Sequence, residues 1–238
     1  ALAEDAAALS GGVISLTNET ISGYMYGGLG GGDYVLSEDI TVGSDSLRFS
    51  GTASLDLNGH TLTFNAPAET RIPFASGGSP HVYKAGIVVS DTMTLTDSST
   101  NHSGMLDVRG TESIGVLVTP DADFTMTGGT ITNSTPDNNG GIGLAVFSAK
   151  ASMTDGKITG EKDYGVLTIA SSSTPSSFTM SGDAVISDCG AGIDSSLSQG
   201  GGICITNKCN LTINGGTITN CAAQLGGGVY FGGDTFTM

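Results

Sequence analysis

A short pattern recurs along this chain, and no other feature limits its fold as strongly. Phe124-Thr-Met126 leads to Ile131, Ala151-Ser-Met153 to Ile158, Phe178-Thr-Met180 to Ile186 and Leu211-Thr-Ile213 to Ile218, and Phe236-Thr-Met238 begins the same frame again. Between these copies stand Gly115-Val-Leu-Val, Gly143-Leu-Ala-Val, Gly165-Val-Leu-Thr-Ile, Gly202-Ile-Cys-Ile and Gly228-Val-Tyr-Phe, with a diverged earlier copy in Gly86-Ile-Val-Val and Met93-Thr-Leu95. The central residues Met126, Met153, Met180, Ile213 and Met238 are 27, 27, 33 and 25 residues apart. A period of this size signals stacked repeats, each too small to bury its own apolar face. A propeller blade needs about forty residues for four strands, whereas this unit has room for two or three strands of three to five residues.

The copies alternate apolar and polar residues, which predicts strands with one face inward and one toward solvent. The units therefore predict an all-β solenoid, a parallel β-helix in which each coil pairs with the next about 4.8 Å away. Glycine supplies 38 of the 238 residues, and corners tolerant of positive φ account for the excess. Unequal repeat length falls in Asn133–Gly141, Ala170–Ser177 and Gly190–Gly201, which are expected to protrude as loops. Residues 33–238 form the repeat body, and residues 1–32 read as an N-terminal cap over its first unpaired edge. The chain stops in mid-repeat at Met238, so it is expected to continue into a longer protein.

Before the regular copies come Asp33–Val42, Ser46–Phe49 and Ala53–Phe64, three strand-like segments separated by Gly/Ser turns. Leu55-Asp-Leu-Asn-Gly-His60 followed by Thr61-Leu-Thr-Phe64 resembles the opening coil of the right-handed β-helix repeat proteins of the pectin-lyase-like superfamily. The Gly-Gly-Thr-Ile-Thr copies resemble repetitive surface proteins and adhesins of anaerobic Gram-positive bacteria. The resemblance spans about residues 30–238 and implies a right-handed helix. It leaves function open, because lyases, hydrolases, tailspikes, adhesins and inert stalks share that scaffold.

Eight Lys plus Arg against 23 Asp plus Glu give a net charge of −15, which repels phosphate backbones and anionic lipid. Nucleic acid and membrane insertion are not expected. Ala1-Leu-Ala3 before Glu4 and Asp5 resembles the end of a secretory signal, so the expected location is extracellular or at the cell surface.

Catalysis on polysaccharides needs acids brought close together. Asp121 and Asp123 flank one residue but stand beside Pro120 in a corner, where solvated turn carboxylates are the simpler reading. Asp155 and Asp183 share a slot in successive copies and would suit calcium. The exchange of Asp, Asn and Gly at a tight turn explains them equally without metal, and no cofactor is expected. A lyase or hydrolase would draw on Asp91, Asp97 and Asp107, or on Asp155 and Asp183, converging only in three dimensions. His60, His81 and His102 lack metal-ligand spacing, and His60 reads as a structural turn residue.

Cys189 and Cys221 follow Ile186 and Ile218 by the same three residues and should stack on adjacent strands, within reach of a disulfide. Cys204 and Cys209 would close a small loop. A ladder of buried free thiols is the alternative. The segment Asn65–Ala85 interrupts the repeat with three prolines and gathers Arg71, Phe74, His81, Tyr83 and Lys84 in an otherwise acidic chain. Cationic and aromatic residues on a loop held by a rigid scaffold suit recognition, although an insertion that merely covers the body fits too. Tyr24 and Tyr26 form a second candidate surface, against which stands the reading of that segment as a cap. The expected function is a non-enzymatic, adhesin-like scaffold for a host glycan, glycoprotein or other protein such as an immunoglobulin. A polysaccharide lyase or hydrolase and a non-binding stalk are the alternatives.

Overall fold

The computed structural model describes residues 12–25, 27–67, 69–72, 81–135, 140–170, 174–190 and 199–238. Within them the chain is all-β, apart from one 3-10 turn at Ile21–Tyr24, and its strands form two stacked sheets that are almost wholly parallel.

Three ladders run through the two sheets. The first contains Ile14–Leu16, Gly32–Leu36, Ala53–Asp56, Thr92–Thr96, the start of Asp123–Thr132 and of Lys150–Thr159, Ser176–Met180, Cys209–Ile213 and Thr235–Thr237. The second contains Ile40–Val42, Thr61–Phe64, Met105–Val108, the ends of the same two ten-residue strands, Val185–Ser187 and Thr217–Thr219. The third, a separate sheet, contains Leu47–Phe49, His81–Val89, Ser113–Val118, Ile142–Phe147, Tyr164–Ile169, Ile203–Ile205 and Val229–Phe231. Each repeat thus supplies one strand to each ladder and hydrogen-bonds to the repeats before and after it.

The register follows the aligned sequence. Met126 pairs with Met153, Met153 with Met180 and Met180 with Ile213. Ile131, Ile158, Ile186 and Ile218 form the matching column of the second ladder. Val116, Leu144, Val166 and Ile203 do so in the third. Inward-facing residues from all three ladders make one core that includes fully buried Phe49, Phe64, Phe124 and Phe178, each worth roughly 2–3 kcal/mol of burial. On the solvent side of the first ladder, Thr125 and Ser152 hydroxyls lie 3.1 Å apart, like stacked on like.

Two expectations need correction. The first concerns ladder three, where alternation was expected to turn one face to water. Ser113–Val118 and Ile142–Phe147 are buried at every position, and Val88, Ile114, Leu117, Ile142, Ala145 and Leu167 belong to a second apolar cluster outside the main core. Strands buried on both faces read as continuous apolar runs, as Gly115-Val-Leu-Val does.

The second concerns part of the glycine excess: fifteen described glycines take the positive φ expected of corners, but one column does not. Gly86, Gly115, Gly143, Gly165, Gly202 and Gly228 stack within ladder three, and none has a positive φ. What excludes a side chain there is space. A Cβ on Gly143 would lie 2.3 Å from Ile158 Cγ2, and one on Gly165 would lie 2.6 Å from Ile186 Cγ2 and 2.7 Å from the Gly202 carbonyl oxygen. The glycines let the isoleucine column pack directly against the neighbouring sheet.

At the N-terminal end the first ladder already includes Ile14–Leu16, paired with Tyr34–Leu36, so pairing begins inside the segment expected to be a cap. Tyr24 packs edge-on against Tyr34 (6.2 Å between rings), and Tyr34 against Phe49 (5.9 Å).

Candidate functional site

The insertion Asn65–Ala85 adopts regular structure where it is described. Glu69–Ile72 runs antiparallel to the first part of His81–Val89, pairing Glu69 with Lys84, Thr70 with Tyr83, Arg71 with Val82 and Ile72 with His81. No other strand pair among the described residues is antiparallel. The β-branched and aromatic residues Thr70, Ile72, Val82 and Tyr83 favour extended backbone. The longer strand then enters ladder three, where Lys84 pairs with Ser113 and Val89 with Val118. At its base the buried Ser46 hydroxyl donates to the Ala85 carbonyl at 2.6 Å. A two-stranded arm is thereby continuous with the sheet that carries it. The backbone places Arg71, His81, Tyr83 and half-buried Lys84 on this arm. Phe74 and Tyr26 lie outside the described residues. Tyr24 is packed against Tyr34 rather than standing free on the surface.

Several acids singled out in the sequence hold loops in place. Asp97 Oδ1 accepts from the Gly59 amide (2.8 Å), the Ser99 amide (3.2 Å) and the Ser99 hydroxyl (2.7 Å), while Oδ2 accepts from the Gly104 amide (2.6 Å). Burial alone would raise its pKa, but these donors together outweigh burial and hold it below the ordinary carboxylate value. Asp107, 2% exposed, accepts from Arg109 Nε at 2.7 Å and from the Ser134 hydroxyl and amide at 2.7 and 2.9 Å. Asp91 is exposed and its carbonyl binds the Asp123 amide at 2.9 Å. Asp155, at a register shift within Lys150–Thr159, and Asp183, in a turn, are both exposed, with Asp155 Oδ1 accepting from the Gly156 amide at 2.6 Å. Asp121 and Asp123, both exposed, line a shallow groove with Ser148, Lys150, Thr174 and Pro175. His60 sits at its turn with Nδ1 3.4 Å from Asp39 Oδ1. Among the described residues no group of three or more His, Cys, Asp or Glu is placed to hold a metal ion.

The acid that sequence reasoning missed is Glu161. It is 2% exposed at the corner after the second ladder, and burial, followed by the charges of Asp107 and Asp163, raises its pKa well above the ordinary value. Asp163 is raised too, by burial and then by Glu112. A signal was present: Glu161 follows Ile158 by the same three residues that separate Cys189 from Ile186 and Cys221 from Ile218.

All four cysteines are free thiols. Cys189 and Cys221 lie on adjacent, in-register repeats, where the Cys189 thiol donates to the Ser187 carbonyl (3.1 Å) and the Cys221 thiol to the Thr219 carbonyl (3.3 Å). The interaction between the two neighbouring thiols brings Cys221 down to about 7 and, with burial, pushes Cys189 up. The expected small loop between Cys204 and Cys209 is not closed by a disulfide, and alternation along the chain explains the arrangement. Cys204, between Ile203 and Ile205, faces the outer apolar cluster, whereas Cys209 packs in the main core. Burial, and next the proximity of Cys209, raises the Cys204 thiol to about 12.

No protein-family model, no curated protein and no solved structure matches this chain. Among the described residues no helix is long and apolar enough to cross a membrane.

Proposed function

We propose that the chain is a right-handed parallel β-helix acting as an adhesin-like binding scaffold, secreted or displayed at a cell surface, and that the Glu69–Val89 arm is its recognition element. The carrying observation is that His81–Val89 is one strand shared between the antiparallel arm and ladder three. An arm continuous with a sheet loses little conformational entropy on binding. Arg71, His81, Tyr83 and Lys84 are distributed along its two paired strands in a chain of net charge −15, residue types suited to the acidic groups and sugar rings of a host glycan or glycoprotein. The expected superfamily is the pectin-lyase-like one, used here for display.

The test is a glycan array and a pull-down from mucosal secretions with the full chain. Binding that falls at least about tenfold in Arg71→Ala and Tyr83→Ala, with melting temperature unchanged, supports the reading. Binding unaffected by both changes moves the site elsewhere. Release of reducing ends or unsaturated products from a pectin or glycosaminoglycan panel would replace the scaffold with an enzyme, and silence in every assay would leave a stalk.

A further inference from the structure

We infer that Cys221 and Cys189 form a thiol–disulfide exchange site, in which Cys221 attacks a low-molecular-weight disulfide and Cys189 resolves the adduct into a clip between adjacent repeats. Three observations independent of the proposed binding role carry it. First, the pairing of Ile186 with Ile218 and Ser187 with Thr219, and the 2.9 Å bond from the Ala222 amide to the Cys189 carbonyl, hold the two residues opposite each other across one strand spacing. Such a spacing lies within the range that a disulfide spans without moving the backbone.

Second, the two sulfurs differ in access. Cys221 is half-buried and its Sγ reaches the Thr219 carbonyl at the exposed surface (3.3 Å), whereas Cys189 is 1% exposed and its Sγ reaches the Ser187 carbonyl inside (3.1 Å). Third, the stacked glycines leave room for sulfur: a Cβ on Gly165 would meet Cys189 Sγ at 3.2 Å and one on Gly202 would meet Cys221 Sγ at 3.3 Å. The neighbouring Cys189 thiol also brings Cys221 to about 7, close to the value at which a thiol attacks fastest in neutral solution. Cys204 and Cys209 lack this arrangement because they face different clusters.

The chemistry balances without a further reagent. Cys221 thiolate attacks one sulfur of the small disulfide, expelling a small thiolate and leaving a mixed disulfide. Cys189 then attacks the Cys221 sulfur, its proton passing to the second departing small thiolate. Two protein thiols are oxidised and one small disulfide is reduced to two thiols.

The test uses the full chain, reduced, freed of reductant and incubated with oxidised glutathione at mildly alkaline pH, then followed by intact mass. The wild type should end lower by two hydrogens, without bound glutathione. Cys189→Ser should stop with one glutathione per chain, and Cys221→Ser should stay unmodified over the same interval. Because the clip closes a loop between residues 189 and 221, the oxidised wild type should melt about 5–10 °C higher and lose that gain on reduction. Circular dichroism checks that each variant is folded, and Cys189→Ala replaces Cys189→Ser if serine disturbs the core. A wild type that stays reduced, or a Cys221→Ser variant that still cross-links, overturns the assignment.

Discussion

Two neighbouring sites at one corner use glycine for opposite reasons. Just past the second ladder, Gly160, Asp188 and Asn220 occupy one slot, two residues after Ile158, Ile186 and Ile218, with φ of 77°, 56° and 53°. The backbone is left-handed there and three residue types serve, because Asn and Asp tolerate that conformation nearly as well as Gly. Along ladder three, Gly143, Gly165 and Gly202 have no positive φ and no substitute, because a Cβ would enter the volume of Ile158, Ile186 or Ile218. The first slot constrains dihedral angle and accepts chemistry; the second constrains volume and accepts none.

Gly165→Ala should cost most, about 3 kcal/mol in chemical denaturation, since one obstacle is the Gly202 backbone. A loss under about 1 kcal/mol would refute the packing account. Combined with Ile186→Ala, part of that loss should be recovered relative to the sum of the single changes, because the double variant removes one of the two clashes.

Glu161→Gln comes next. Its folded pKa is raised, so the folded state binds a proton more readily than the unfolded chain. The wild type is therefore most favoured below the ordinary carboxyl value and loses stability as pH rises from there through the raised value. The variant should flatten that fall and gain about 1–2 kcal/mol at neutral pH. An unchanged pH profile between the two proteins would show that Glu161 is not held protonated. Asp97 acts with the opposite sign: its lowered pKa contributes stability above the ordinary value that is lost as pH falls through the folded one, so Asp97→Asn should remove part of the acid limb.

The smallest effects belong to the dihedral slot. Gly160→Ala should cost about 1 kcal/mol, and Gly160→Asn about 0.5 kcal/mol or less, matching what Asn220 already does. Equal costs for Ala and Asn would erase the distinction between the two slots.

The strand frame was readable because Phe-Thr-Met and its relatives alternate cleanly, and their alignment predicts the pairing of Met126, Met153 and Met180. The burial of both faces of ladder three was less so. Its runs of Gly-Val-Leu-Val type were visible, but the same letters suit a short half-buried strand, and only contacts between distant segments decide. The glycine column escaped for a similar reason: a sequence does not say whether a glycine is needed for its φ or for its missing Cβ. Glu161 stood in the slot of Cys189 and Cys221, and an alignment centred on apolar residues passes over it. The arm at Glu69–Val89 was found as an interruption, while its antiparallel pairing depends on backbone geometry that prolines and aromatics alone do not specify.

Near-identical repeats raise a problem of order during folding. If the chain slipped by one whole repeat, methionine would still meet methionine and isoleucine would still meet isoleucine, and the apolar columns would register little loss. The corner after the second ladder does not repeat in this way. There Asn133 donates to Ser113 and Gly110, Glu161 is buried, and Cys189 meets Cys221. A slipped chain would leave the Asn133 amide without its acceptors, at a cost the apolar columns cannot offset. These few unlike residues act as addresses, telling each repeat which neighbour is its own.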